Sequence, residues 1–189
     1  MFEYFETCIR LDLPTPDIDL ASLHWVKYNP RKEIQRWGAS LTSLDGGNSG
    51  VPDLDSLYEF NKQNGTKYTE KDFKTPTEAY KKYFSFLDDK FNLGRSHVIR
   101  LGTGGFFPYH RDFDTDTFRL IYTISGCEGH NLVWIVNNQI IKLENKQWYY
   151  VNTKMIHSVF SFFGSEFVVF NVLNNELGQK SIIKHLHVK

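Results

Sequence analysis

The stretch Gly104-Gly105-Phe106-Phe107-Pro108-Tyr109-His110-Arg111-Asp112 sets an imidazole and a carboxylate two residues apart, behind a glycine pair. In an extended chain, residues i and i+2 point to the same side, so His110 and Asp112 can face one point. A second histidine, His157, opens another strand-like segment after the loop Asn152-Thr153-Lys154-Met155-Ile156. Two histidines and one carboxylate on one face, with the remaining positions open, make the facial triad that holds Fe(II) for oxygen chemistry. Taken alone, His-x-Asp describes equally well a loop histidine beside an acidic neighbour. The setting favours the metal: the motif lies at the start of a β-rich half, and His157 follows several strands later where hairpins are dense.

Such a triad needs a rigid β scaffold, and the chain from Ser96 onward has the two-residue period of one. Candidate strands are 97–101, 118–125, 132–136, 139–143, 147–151, 157–163 and 166–173. Asn137-Asn138, Glu144-Asn145-Lys146 and Gly164-Ser165 suit tight hairpins. Short strands closed this way predict an antiparallel sandwich or barrel. In the first half, residues 37–44 read as a strand that breaks at the loop 45–50, and a short helix is expected over 54–61. A longer helix is predicted over 75–93, with Thr75 as cap, Pro76 in the first turn, Glu78 closing a capping box and Gly94 as the stop. Its stripe of Tyr80, Tyr83, Phe84, Leu87 and Phe91 would lie against an outer face of the sheet.

Composition narrows the function classes. The 189 residues balance 22 Lys+Arg against 22 Asp+Glu, and 16% are aromatic. That length fits one domain with a real core, and zero net charge removes the broad basic field of a nucleic-acid binder. Cys8 and Cys127 have no zinc or disulfide spacing, which favours a reduced, cytoplasmic setting. Neither a secretory leader nor a membrane span is expected from the apolar pattern, so a membrane is not among the expected partners.

At these residues the chain resembles a known family. The run 98–172 is similar to the double-stranded β-helix core (jelly-roll, cupin-like) of 2-oxoglutarate- and Fe(II)-dependent oxygenases, in particular small bacterial and phage-type members related to aspartyl/asparaginyl β-hydroxylases and prolyl hydroxylases. The resemblance is carried by Leu101-Gly102-x-Gly104-Gly105-Phe106-x-Pro108-x-His110-x-Asp112, Phe118-Arg119-Leu120-Ile121 and Tyr150-x-Asn152-Thr153-x-x-x-His157-Ser158, and more weakly by Arg36-Trp37-Gly38-x-Ser40-Leu41. It implies a mainly β fold with flanking helices in a single domain, 1–189. Within it, 1–95 would be a mixed helix and strand part packing on the core, 96–175 the β-helix core and 176–189 a C-terminal tail.

The resemblance also implies a dioxygenase that uses Fe(II), O2 and 2-oxoglutarate as cosubstrate, releasing succinate and CO2 while hydroxylating a peptide, protein or free amino-acid substrate. His110, Asp112 and His157 would be the iron ligands. Many relatives hold the distal carboxylate of 2-oxoglutarate with an Arg about ten residues after the second histidine, where this chain has Phe167. Arg119, set among apolar residues on the strand after the motif, is the leading replacement, with pairing to Asp114 or Asp116 at the rim as its alternative; Arg100 is the second candidate. Trp37, Ser40 and Tyr109, with the loop 46–50, are candidate substrate contacts, and Phe106, Phe107, Trp134 and Tyr150 candidate walls. His24, His97, His130, His185 and His187 read as surface or structural. Two other classes stay open: a cupin-like metal-binding protein that is not an oxygenase, and a non-catalytic β-barrel interaction module.

Overall fold

Phe118, Leu120 and Tyr122 alternate with Arg119, Ile121 and Thr123 along one strand, and both sets are buried. A strand with two buried faces must be covered on both sides. In the computed structural model, which describes residues 7–28, 33–112 and 116–186, that is what the remaining elements do. The first half contains β1 (Cys8–Leu11), β2 (Val26–Lys27), β3 (Arg36–Ser40), β4 (Thr42–Ser43), α1 (Leu57–Asn64), β5 (Thr75–Pro76) and α2 (Glu78–Tyr83). There follow β6 (His97–Leu101), β7 (Phe106–His110), β8 (Thr117–Ser125), β9 (Leu132–Val136), β10 (Gln139–Ile141), β11 (Trp148–Val151), β12 (His157–Ser161), β13 (Ser165–Leu173) and α3 (Glu176–Lys184).

A seven-stranded antiparallel sheet has the order β1-β11-β8-β13-β6-β3-β2, and a four-stranded one the order β10-β9-β12-β7. From β6 to β13 the chain passes back and forth between the two sheets. This is the jelly-roll, or double-stranded β-helix, connection, and the expected fold class holds. Asn137 and Asn138, both at positive φ (49° and 62°), make the tight β9–β10 turn.

Two cores result. Between the sheets, Ile99, Leu101, Ile121, Trp134, Val159 and Phe167 pack together. On the outer face of the large sheet, Trp148, Tyr122 and Phe170 meet Tyr80, Phe84 and Leu87. Phe84 fills the centre of this layer, with its ring 5.1 Å from Phe170 and 6.5 Å from Trp148.

Several boundaries differ from the sequence reading. The helix expected over 75–93 is only α2 followed by a 3-10 turn at Ser85–Leu87. Thr75-Pro76 pairs instead with Thr42-Ser43, and Thr77 is the cap, its hydroxyl accepting from the Tyr80 amide at 3.3 Å. The chain leaves helical geometry at Phe84 (φ −131°), yet Tyr80, Phe84, Leu87 and Phe91 of the expected apolar stripe are buried, with Tyr83 partly so. The short helix lies at 57–64 rather than 54–61. The 176–189 tail is corrected: α3 occupies most of it and plants Ile182 in the outer core. The large sheet also recruits β1, β2 and β3, so it extends beyond 96–175.

Replacing Phe84 by Ala empties a fully buried ring from the layer joining α2 to the sheet. Unfolding in urea is expected to show a loss of about 3–5 kcal/mol; a loss below about 1 kcal/mol would mean that the layer is not structural.

Candidate metal centre

Backbone pairing brings the two histidines together. β12 runs antiparallel to β7 with His157 opposite His110 and Val159 opposite Phe107, the register shifting by one residue between the pairs. Phe107 and His110 are three positions apart and would face opposite sides of a regular strand. The extra residue on β7 turns both toward the space between the sheets. At the other end of β7, backbone conformation requires the first glycine and packing the second. Gly104 has φ +73°, and a Cβ on Gly105 would stand 2.2 Å from the Gln35 carbonyl oxygen. Pro108 is tolerated because β7 is an edge strand. Just past the strand, the Asp112 amide donates to the Thr153 carbonyl at 3.0 Å, which ties the carboxylate to the loop before His157.

The ring centroids of His110 and His157 are 4.1 Å apart. One ligand atom from each of His110, Asp112 and His157 lies within 4.8 Å of the other two. Each imidazole bonds through Nδ1 to a carbonyl two residues back: His110 to Pro108 at 2.6 Å and His157 to Met155 at 3.0 Å. A carbonyl only accepts, so Nδ1 carries the proton and Nε2 is left as the ligand atom.

Burial pushes the Asp112 carboxyl up. The Arg119 guanidinium, His157, the Thr153 hydroxyl and His110 outweigh that push and hold it at about 2. Burial and the neighbouring His110 lower His157, against the pull of Asp112. Two neutral imidazoles and one ionised carboxylate are the donor set a divalent first-row metal takes, and these residues fit one.

Arg119 points inward, as the alternation of β8 requires, and is only 7% exposed. Its Nη2 lies 3.0 Å from Asp112 Oδ2, and its Nη1 donates to the Thr117 hydroxyl at 3.3 Å. Of the rim alternatives for Arg119, Asp116 pairs with Lys71 and Asp114 lies outside the described residues. Arg100 is on the other face of its strand, paired with Glu166 at 3.1 Å and stacked on Trp25 at 4.0 Å, away from the triad. Trp37 shares that outer face under the Lys27 ammonium. Ser40 is buried and donates to Asp53, while Tyr109 is half-exposed beside His110. Among the described residues, none of Arg100, Trp37, Ser40 and Tyr109 lines the cavity. Of the aromatic walls, Phe107 and Trp134 line it, Phe106 faces outward and Tyr150 belongs to the outer core.

The cavity itself, about 470 Å³, runs between the sheets from the triad. Sequence reasoning missed Tyr28, Arg36, Glu70, Arg95 and Asn171 on its walls and read His97, which also lines it, as surface or structural. Arg95 and Glu70 form a buried pair at 2.8 and 2.7 Å, and Asn171 Nδ2 donates to the same carboxylate at 2.6 Å. Only Arg36 had a readable signal, since it alternates with Gly38 and Ser40 on one side of β3.

No family model matches this chain, and no curated protein matches its sequence. Among solved structures, an oxidoreductase of the 2OG-Fe(II) oxygenase family from Burkholderia pseudomallei is similar over 82% of this chain and 75% of its own, at 11% identity and TM-score 0.46. A predicted oxalate decarboxylase from Thermotoga maritima is similar over 47% of this chain and 71% of its own, at 16% identity and TM-score 0.36. An RmlC-like cupin from Shewanella frigidimarina covers 43% of this chain and 68% of its own, at 16% identity and TM-score 0.34.

Loss of the outer partners of a metal ligand costs about 10–100-fold in affinity, so loss of a ligand should cost more. His110→Ala removes a side chain that is 40% exposed, so the fold should persist. Calorimetric titration with Mn2+ is expected to show affinity down by more than about a hundredfold; unchanged affinity would dismiss the site.

A second outcome concerns acid. Burial, and then Arg95 and Arg119, hold His97 well below 6.5 in the folded state. Below pH 6.5 the unfolded chain therefore takes up a proton that the folded one resists. Stability is full above that pH and falls by up to about 1.4 kcal/mol per pH unit per histidine as acid is added. His157 adds a loss of the same sign. Urea midpoints between pH 7.5 and 5.5 should fall, and fall less in His97→Asn.

Proposed function

We propose that this protein is an Fe(II)- and 2-oxoglutarate-dependent dioxygenase that hydroxylates a peptidyl or free amino-acid side chain. The observation that carries the reading is the convergence of two Nε2 atoms and an ionised carboxylate beside a cavity walled by two sheets. Fe(II) held by His110, Asp112 and His157 would supply dioxygen activation coupled to oxidative decarboxylation of 2-oxoglutarate. The chain supplies the remainder. The Pro108 and Met155 carbonyls fix the tautomers, Arg119 keeps Asp112 ionised and oriented, and the apolar walls Ile121, Val159 and Trp134 keep water from the reacting groups. The exposed residues at the cavity mouth, Tyr58 and Arg111, are where the side chain to be hydroxylated would arrive. Among the described residues no helix is long and apolar enough to cross a membrane; a cytoplasmic setting is part of the proposal.

One observation favours a second reading. Phe167, fully buried, stands where the family resemblance expects a cation, and a cupin-like metal protein with another reaction would not need one there. Incubation with Fe(II), ascorbate, O2 and 2-oxoglutarate, followed by NMR, separates the two. Succinate is expected from the wild type, with loss of its formation in His157→Ala. Tight metal binding without succinate would contradict the dioxygenase, and negligible metal binding would contradict both readings.

A further inference from the structure

A dianionic cosubstrate enclosed between two sheets needs a cation at each end, because a buried carboxylate without a partner is costly. Directly beneath the triad the walls are apolar. Phe167 and Ile99 stand opposite one another on β13 and β6, and Ile121, Val159 and Trp134 close the other sides. Arg119 pairs with Asp112 at 3.0 Å near the triad, and Arg95 with Glu70 at 2.7 Å. Arg36 enters the cavity from β3 and is 3% exposed. Its guanidinium lies over two aromatic rings, 4.3 Å from the centroid of Phe107 and 4.6 Å from that of Tyr28. Its Nη1 donates to the Phe106 carbonyl at 3.3 Å. Stacking fixes the plane of the fork before any ligand arrives, which favours a planar, bidentate acceptor.

An independent observation points to a polar ligand in the same chamber. Among the described residues, His97 Nδ1, Trp134 Nε1 and Asn171 Oδ1 are buried, line this cavity and have no hydrogen-bond partner. Buried polar atoms are nearly always bonded, so three such atoms around one cavity mark a place that a polar molecule completes. His97 and Arg36 meet through Tyr28, whose ring is 5.8 Å from the imidazole and 5.6 Å from Phe107.

We propose that Arg36 is the anchor for the distal carboxylate of the 2-oxo diacid, with His97 and Trp134 completing the polar lining around it. The assignment rests on the dioxygenase reading above, and it makes Arg36, two strands away from the usual position on β13, the residue that selects a dicarboxylate over a monocarboxylate.

The test uses full-length protein loaded anaerobically with Fe(II), with the visible charge-transfer band of the bound oxo acid titrated by 2-oxoglutarate and by 2-oxobutyrate, which lacks the distal carboxylate. Arg36→Met is expected to weaken 2-oxoglutarate by at least about tenfold while leaving 2-oxobutyrate and Fe(II) affinity unchanged. Should that variant not fold, Arg36→Lys, which keeps the charge and loses the fork, is expected to weaken 2-oxoglutarate selectively. Wild-type affinity for 2-oxoglutarate in a folded Arg36 variant, or equal losses for both acids, would overturn the anchor alone. No band with either acid in the wild type would overturn the dioxygenase reading and the anchor with it.

Discussion

The antiparallel pairing of β7 with β12 is the constraint from which the site follows. It sets His157 opposite His110, and both rings then find the same local solution, Nδ1 bonded to the carbonyl two residues back on their own chain. Neither tautomer depends on a distant side chain. The one-residue register shift adds a second consequence, since it lets Phe107 wall the chamber while His110 faces the triad. Gly105, pressed against the Gln35 carbonyl, fixes where β7 begins, and so where its last residue, His110, ends up.

Charge inside the sandwich is organised in pairs. Asp112 with Arg119, and Glu70 with Arg95, each bury opposite charges among apolar strands. Such pairs add little net stability over apolar replacements, but removing one member leaves an uncompensated charge. Their contribution is therefore to geometry. Arg119 joins β8 to the end of the β7 motif, while Glu70 joins a surface turn to Arg95 and to Asn171 on β13. Arg95 also donates to the Asp55 carbonyl at 3.0 Å, which fastens the segment before α1 over the cavity. A chamber tied at so many points is a preorganised one.

The legible and illegible parts of the chain divide along a physical line. His110 and Asp112 were readable because a two-residue spacing carries its own geometry, and β8 because its alternation is unbroken. A charge in the apolar run Val98-Ile99-Arg100-Leu101 calls for an acidic partner or an anionic ligand, and the run alone does not say which parity faces the interior; the structure gives Arg100 the acidic partner Glu166. β7 hid inside a glycine- and proline-bearing segment that resembles a loop. The helix over 75–93 was overextended because the pairing of Thr75-Pro76 with β4 is non-local. Glu70 and Arg95 converge on the cavity from separate regions of the chain, and no local pattern records such a meeting.

The central claim is that three side chains hold a metal at the head of a chamber built for an oxo acid. An anaerobic crystal structure with Mn2+ and N-oxalylglycine tests it most directly. The account predicts one ion bound by Nε2 of His110, Nε2 of His157 and the Asp112 carboxylate, with the analogue extending from it between the sheets toward Arg36. An ion absent from those three residues, or an analogue bound outside the chamber, would contradict it.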